Sequence, residues 1–268
     1  MTPQIIFFDI DETLYRKATN YLPESTARAI RALKARGIIP AIATGRTLAA
    51  LPDKVRALAD AEGIELFVTI NGQYNAFRGE PIACNPMSLA EIERFTALFR
   101  RHGWDYTFVG AEKMASSSSN PRVNEALAGI GPYIVDPDYY RHQPVYQFLL
   151  YIDPTEETTL NDSGELGREY HAMRWHPFSV DLLHAEGSKA RGIRSVCAAL
   201  GVPLAETMAF GDGLNDVEMF KTVGFGVAMG DGRDELKALA KYITTPLEQH
   251  GVYNALVHLG IIPGPVWS

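Results

Sequence analysis

Two carboxylates stand one residue apart near the start of this sequence, directly after an apolar run. The segment reads Phe7-Phe8-Asp9-Ile10-Asp11. If the strand ends at Asp9, side chains 9 and 11 point to the same side. Two acids that close together suit a metal ligand, or a nucleophile beside a general acid and base. The alternative is a polar loop in which aspartate only forms a turn.

A hydroxyl and a glycine follow the next apolar run, in Thr44-Gly45-Arg46. The Thr44 hydroxyl and the Gly45 amide could both donate hydrogen bonds to an anion. The same pair is also common where a strand turns into a helix and needs an N-cap. This segment therefore indicates a phosphate site only together with others.

A lysine opens a predicted helix in Gly187-Ser188-Lys189. Its positive charge in the first turn opposes the helix dipole. An anionic ligand beside Lys189 would remove that conflict. The alternative is a solvated lysine at the surface.

Acids and glycines follow another apolar run, in Gly211-Asp212-Gly213-Leu214-Asn215-Asp216. Asp212 and Asp216 could complete an oxygen site for Mg²⁺, which prefers a few carboxylates together with water and phosphate oxygens. The alternative is an Asp-Gly turn that caps the next helix. Dinucleotide, EF-hand and Walker phosphate-loop patterns do not fit these segments.

The elements that position these four segments alternate between strand and helix. Strand patterns cover 4–8, 38–44 and 66–70, and a helical pattern covers 23–36. The alternation resumes near residue 186, with a helix over 189–200 and a strand over 207–210. It predicts an α/β fold with a doubly wound, Rossmann-like parallel sheet. Each segment then lies at the carboxyl end of a strand or opens a helix beside it, where ligands collect in such sheets.

The stretch between these halves has a different pattern. Ser88 and Glu91 form a capping box at the start of a helix, and strand-like runs follow at 105–109, 145–152, 171–175 and 179–184. We therefore expect a core made of 1–81 and 185–268, interrupted by an α+β domain over 82–184.

The charge balance argues against nucleic acid as a partner. Lys and Arg total 25 against 32 Asp and Glu, a net charge of −7 without a visible basic cluster. The sequence contains no apolar run long enough for a signal peptide or a membrane span, so we expect a cytoplasmic protein. Cys84 and Cys197 are far apart, and we expect both to be reduced thiols.

In its motifs the sequence resembles the haloacid dehalogenase superfamily of phosphatases. The resemblance rests on four ordered motifs: Asp9-x-Asp11-x-Thr13, Thr44-Gly45-Arg46, Lys189, and Gly211-Asp212-x-x-Asn215-Asp216. An insertion between the second and third motifs, together with Asn71-Gly72, resembles the Cof-type subgroup with a C2B cap. One departure is Glu12, where glycine is commoner in the family.

The resemblance implies a role for each motif residue. Asp9 would be the nucleophile, and Asp11 the acid that protonates the leaving alcohol and then the base that activates water. The Asp9 carboxylate, the Asp11 backbone carbonyl and Asp212 would bind Mg²⁺, with Asp216 orienting the site. The remaining roles are binding roles, with Thr44, Gly45, Lys189 and Asn215 for phosphate and Arg46, Asn71 and Gly72 for the rest of the substrate.

The resemblance implies a Mg²⁺-dependent phosphatase that acts through an aspartyl-phosphate on a small phosphorylated metabolite, such as a sugar phosphate or a phosphorylated cofactor. Two alternatives stay open: a phosphomutase of the same superfamily and a noncatalytic Mg²⁺-dependent metabolite sensor. The identity of the substrate, the residues of the insertion that select it and the oligomeric state stay open as well.

Overall fold

A computed structural model describes residues 2–267 of the 268-residue chain. By its internal contacts the chain divides into two compact units. The first unit contains the chain up to Gly45, Pro52–Cys84 and the chain from Ser188 onward, and the second contains Arg46–Leu51 and Asn85–Gly187. The boundaries expected from the sequence, at 81/82 and 184/185, stay predictions, and their outer limits, Met1 and Ser268, lie outside the described residues.

The strands and helices are numbered along the chain. The strands are β1 (Ile5–Phe8), β2 (Ile39–Ala43), β3 (Leu66–Thr69), β4 (Tyr74–Phe77), β5 (Glu80–Cys84), β6 (Asp105–Val109), β7 (Met114–Ser116), β8 (Tyr133–Val135), β9 (Gln147–Tyr151), β10 (Tyr170–His176), β11 (Ser179–His184), β12 (Thr207–Gly211), β13 (Phe225–Ala228) and β14 (Tyr242–Ile243). The helices are α1 (Glu24–Ala35), α2 (Asp53–Glu62), α3 (Leu89–His102), α4 (Pro121–Leu127), α5 (Pro154–Asp162), α6 (Lys189–Leu200), α7 (Val217–Thr222), α8 (Asp234–Lys237) and α9 (Gly251–His258).

The sheet of the first unit confirms the predicted α/β class. Its order is β14-β13-β12-β1-β2-β3-β4-β5, and the strands from β14 to β3 are parallel. At one edge of this sheet the strands β4 and β5, which were not predicted, are antiparallel to their neighbours. Ile70, Asn71 and Gly72 all have positive φ and reverse the chain after β3.

Helices cover both faces of this sheet. Phe7 of β1, Ala41 of β2 and Val68 of β3 belong to one apolar cluster with Ile193 and Val196 of α6. On the opposite side, α1 contacts β2, α2 and α9. Strands buried on both faces read as continuous apolar runs, which explains why 4–8 and 38–44 were recognised in the sequence.

The second unit has its own sheet, of order β10-β11-β9-β6-β7-β8. Its pairs are antiparallel except for β7 with β8, which are parallel. Alternate residues such as Phe148 and Leu150 of β9 pack with Phe95 and Phe99 of α3 in an apolar cluster. The predicted capping box of Ser88 and Glu91 is present at the start of α3. The short elements β7, β8, α4 and α5 were not predicted.

The chain leaves the first unit directly after Gly45. The Thr47 hydroxyl lies 2.7 Å from the Gly110 carbonyl oxygen and 2.6 Å from that of Ala111, both in the second unit. Arg46 Nη1 donates to the Ala50 carbonyl oxygen at 3.0 Å. Arg46, which the resemblance made a substrate contact, therefore belongs to the second unit.

Within residues 2–267, no helix is long and apolar enough to cross a membrane.

Candidate active site

The centre of the site is a buried ammonium shared by two carboxylates. Lys189 Nζ donates to Asp9 Oδ1 at 2.5 Å and to Asp216 Oδ1 at 2.7 Å. Lys189 is 1% exposed and Asp216 is fully buried, so Lys189 is not a solvated surface lysine. The conflict between its charge and the dipole of α6 is relieved by these two carboxylates.

Strand pairing brings the acids together from opposite ends of the chain. β1 pairs with β12 so that Phe8 lies beside Phe210, and the Asp9 amide continues the pairing by donating to the Phe210 carbonyl oxygen at 3.1 Å. Asp212 directly follows β12. One carboxylate oxygen from each of Asp9, Asp212 and Asp216 lies within 4.8 Å of the other two.

Both carboxylate oxygens of Asp216 are already engaged by the protein. Oδ1 accepts from Lys189, and Oδ2 accepts from the amides of Asp212 at 3.0 Å and Gly213 at 3.1 Å. A side chain at Gly211 would place its Cβ 2.5 Å from Asp216 Oδ2, so glycine is required for this approach. Asp216 therefore fixes the turn that carries Asp212.

Burial and like charge shift the proton affinities in this cluster. Burial raises the pKa of Asp9 well above its ordinary range, although the Lys189 ammonium acts against this. Burial, and then the charge of Asp216, raise the pKa of Asp212 to about 7. Burial acts to lower the pKa of Lys189, but the charges of Asp216 and Asp9 raise it overall. Three carboxylates thus lie close to a single ammonium, which is hydrogen-bonded to two of them, and added positive charge would stabilise their ionised forms.

The donor set fits a hard divalent cation. Asp9 and Asp212 offer carboxylate oxygens, and oxygen-only sites favour such ions. The Thr13 hydroxyl donates to Asp212 Oδ1 at 3.3 Å and orients that carboxylate. Thr13 belongs to the first motif but was given no role from the sequence.

The structure places Thr44 and Gly45 beside Asn71. Thr44 follows β2, is buried, and its amide donates to the Val68 carbonyl oxygen at 2.8 Å. A Cβ at Gly45 would lie 3.2 Å from Asn71 Oδ1, so these two predicted residues are neighbours. Asn215 is exposed on the short turn Leu214–Asp216. The binding roles of these residues stay predictions.

Gly72 has a packing role that the sequence did not suggest. Its φ is +76°, and a Cβ there would lie 2.4 Å from the Ser188 carbonyl oxygen and 2.6 Å from the Gly192 amide nitrogen. The turn after β3 thus packs closely against the first turn of α6, which carries Lys189. The glycine within the predicted helix, Gly192, was the available signal for such an approach.

Comparisons with known proteins agree with this geometry. The model of the haloacid dehalogenase-like hydrolases matches residues 6–256. The chain is 34% identical to YkrA of Bacillus subtilis (strain 168) over 98% of this chain and 100% of that protein. The crystal structure of a Geobacillus kaustophilus HTA426 protein is similar, with 38% identity, a TM-score of 0.87 and coverage of 97% of this chain and 100% of that one. The HAD subclass IIB sugar phosphatase BT4131 is similar at 30% identity and a TM-score of 0.79, with the same coverage.

Proposed function

This chain belongs to the haloacid dehalogenase-like hydrolases and is a phosphomonoester hydrolase, and we propose that it transfers phosphate from a small metabolite to Asp9 and then to water with the help of Mg²⁺. The observation that carries this proposal is the buried Asp9 carboxylate, with one oxygen bonded to Lys189 and a second acid, Asp212, within reach. Asp11 lies two residues further and is half-buried.

The reaction proceeds in two displacements at phosphorus. An oxygen of the Asp9 carboxylate attacks the phosphorus, the bond to the ester oxygen breaks, and Asp11 gives its proton to that leaving oxygen. Asp11 is then a carboxylate and takes a proton from a water molecule. The water oxygen attacks the phosphorus, which releases inorganic phosphate and restores the Asp9 carboxylate.

The remaining residues position the reactants and balance charge. Mg²⁺, held by Asp9, the Asp11 backbone carbonyl and Asp212, would neutralise charge on the phosphoryl oxygens. Lys189 favours the ionised form of Asp9 and orients it, because its ammonium donates to Oδ1 and leaves Oδ2 for attack. Thr44, Gly45 and Asn215 would hold the phosphoryl oxygens beside Lys189. These contributions are positional and electrostatic, as phosphoryl transfer requires.

The proposed substrate class is a sugar phosphate or a phosphorylated cofactor. The similarity to the sugar phosphatase BT4131 supports the first of these. Release of inorganic phosphate distinguishes this hydrolysis from a phosphomutase, which returns the phosphate to a sugar. A screen of phosphorylated metabolites with phosphate detection identifies the substrate.

The test of the proposal is Asp9→Asn, which keeps the shape of the side chain and removes the attacking oxygen's charge. We expect phosphate release at saturating Mg²⁺ to fall about a thousandfold or more, as when other enzymes lose their nucleophile. The melting temperature should not fall, because the variant no longer buries that charge. Asp60→Asn is the control, since Asp60 is exposed on α2. Activity of Asp9→Asn within about tenfold of wild type would remove Asp9 from the mechanism.

A further inference from the structure

One guanidinium in the first unit connects three acidic residues from separate parts of the chain. Arg16 forms ion pairs with Glu12, Asp231 and Glu248. Its Nη1 lies 3.1 Å from Glu12 Oε2, and its Nε lies 2.5 Å from Glu248 Oε1. Its Nη2 also donates to Glu248 Oε2 at 2.9 Å. The Arg16 side chain is 23% exposed, so these pairs are only partly screened by solvent.

Arg16 lies on the same loop as Asp11 and pairs with Glu12 of that loop. The Glu12 amide donates to the Tyr15 carbonyl oxygen at 2.8 Å, and the Arg16 amide donates to Tyr21 at 2.8 Å. Glu12 has a φ of +60°, a left-handed conformation that costs a residue with a side chain about 1 kcal/mol. The ion pair with Arg16 offsets part of this cost. It gives Glu12 a function at the position where the family more often has glycine.

The same guanidinium reaches the loop that supports Asp212. Asp231 is followed by Gly232, whose Cβ position would lie 2.9 Å from the Asp212 carbonyl oxygen. The Arg233 amide donates to that oxygen at 2.7 Å. A displacement of Asp231 would therefore move the backbone against which Asp212 rests.

We propose that Arg16 is a positioning residue that holds the Asp11 loop and the Asp212 loop in fixed relative positions and thereby sets the affinity of the site for its divalent cation. The inference rests on the proposed function, because Asp11 and Asp212 are taken as ligands of that cation. Arg16 does not contact the cation. It acts through Glu12 on one loop and through Asp231 on the other.

The sign of the effect separates positioning from simple charge. Removing a positive charge near an acidic site strengthens cation binding if only electrostatics acts. Displacement of the two loops relative to each other weakens cation binding. Residues that orient metal ligands without contacting the metal typically contribute about 10- to 100-fold in affinity. A role confined to stability would change the melting temperature and leave the affinity unchanged.

The experiment compares Arg16→Gln and Arg16→Lys in the full chain. Direct binding of Mg²⁺ is measured by titration calorimetry, beside the Mg²⁺ concentration that half-saturates phosphate release. We expect Arg16→Gln to raise the dissociation constant about tenfold, with kcat at saturating Mg²⁺ little changed. Arg16→Lys keeps the charge but cannot span three carboxylates with a planar fork, so we expect it to rescue only part of the affinity.

The control is Arg31→Gln, which removes an ion pair with Glu62 between α1 and α2 of the same unit. If Arg16→Gln does not fold, Glu248→Gln is the second variant, because it removes one of the three carboxylates that pair with Arg16. We expect it to weaken Mg²⁺ binding as well. Unchanged or tighter Mg²⁺ binding in the folded variant would overturn the inference. Wild-type protein that bound no Mg²⁺ would instead refute the metal of the proposed function, and with it the premise of this inference.

Discussion

Each unit contains a carboxyl with a raised pKa, buried in the first unit and half-buried in the second, and the two surroundings differ in charge. In the first unit, Asp9 lies 2.5 Å from the Lys189 ammonium, which Asp216 also shares. In the second unit, burial raises the pKa of Asp181 on β11 to about 7, and the groups that act against it are the neutral side chains of Trp175 and Gln147.

The difference shows what burial alone accomplishes. Neutral donors lower the pKa of Asp181 less than burial raises it, so a proton on the carboxyl is the cheapest way to balance that site near neutral pH. The Asp9 cluster already contains a fixed cation and remains short of positive charge. The missing positive charge in the Asp9 cluster can be supplied by a metal ion, whereas a single proton is enough to neutralise Asp181. A raised pKa alone therefore does not separate a candidate catalytic carboxyl from one that is only partly buried.

The largest expected stability effect is that of removing the shared ammonium. Lys189→Met leaves Asp9 and Asp216 buried without a cation, and we expect the free energy of unfolding to fall by about 3 kcal/mol or more. The measurement is urea denaturation in the presence of chelator. Lys221→Met is the control, because its pair with Glu218 is exposed and is expected to contribute less than about 1 kcal/mol.

A double variant sharpens this result. Adding Asp9→Asn to Lys189→Met removes one of the unpaired charges, so part of the lost stability should return while activity stays absent. A loss below about 1 kcal/mol in Lys189→Met would mean that this cluster tolerates burial as Asp181 does. The contrast between the two units would then be wrong.

The next effect is the pH dependence of stability that Asp181 introduces. Its pKa is about 7 in the folded protein and about 3.9 in an unfolded chain. Between these values the folded state holds a proton that the unfolded state has released. The contribution to stability is therefore complete below about pH 4 and is lost as the pH rises through about 7.

Asp181→Asn removes this titration. Relative to wild type, the variant should gain about 1–2 kcal/mol between about pH 5 and pH 8.5, less than the whole shift implies because the carboxyl is only half-buried. Urea denaturation at both pH values measures the difference. Asp105→Asn, at a half-buried aspartate of the same sheet, is the matched control. An equal effect of Asp181→Asn at both pH values would show that the carboxyl is ionised throughout.

The sequence predicted which candidate residues lie close together better than it predicted their surroundings. Asp9, Lys189 and Asp212 were recognised because each follows a buried strand or opens a helix, and the carboxyl ends of parallel strands converge. The pairing of β1 with β12 brings Asp9 near Asp212, and Lys189 of α6 contacts Asp9 across 180 residues of chain. The antiparallel strands β4 and β5 were not predicted, because the turn at Asn71-Gly72, which reverses the chain between β3 and β4, was assigned to substrate binding and not to chain reversal.

Other features left no local pattern. Arg16 lies more than 200 residues before its partners Asp231 and Glu248. A single arginine in a loop does not indicate in the sequence that it pairs with several distant acids. Asp181 lies in a predicted strand, but the groups that lower its pKa, Trp175 and Gln147, come from two neighbouring strands. Such contacts depend on the order and register of the strands, which were not predicted from the sequence.

The smallest effect concerns the neutral donors around Asp181. The Trp175 side chain lowers the pKa of Asp181, yet its buried Nε1 has no hydrogen-bond partner of good geometry in the described residues. Trp175→Phe keeps an aromatic ring and removes that donor. We therefore expect the pKa of Asp181 to rise by less than about one unit, which corresponds to less than about 1.4 kcal/mol. The midpoint of the pH dependence of stability should move to higher pH by the same amount.

Trp104→Phe is the matched control for this last change, since Trp104 is a buried indole in the apolar cluster of the same unit. It should lower stability without moving the pH midpoint of Asp181, because Trp104 is not among the groups that act on that carboxyl. A pH midpoint that stayed in place in Trp175→Phe would show that the indole contributes packing but no polar stabilisation of the anion. Asp181 would then depend on Gln147 alone, and its contrast with the cation-paired Asp9 would become larger.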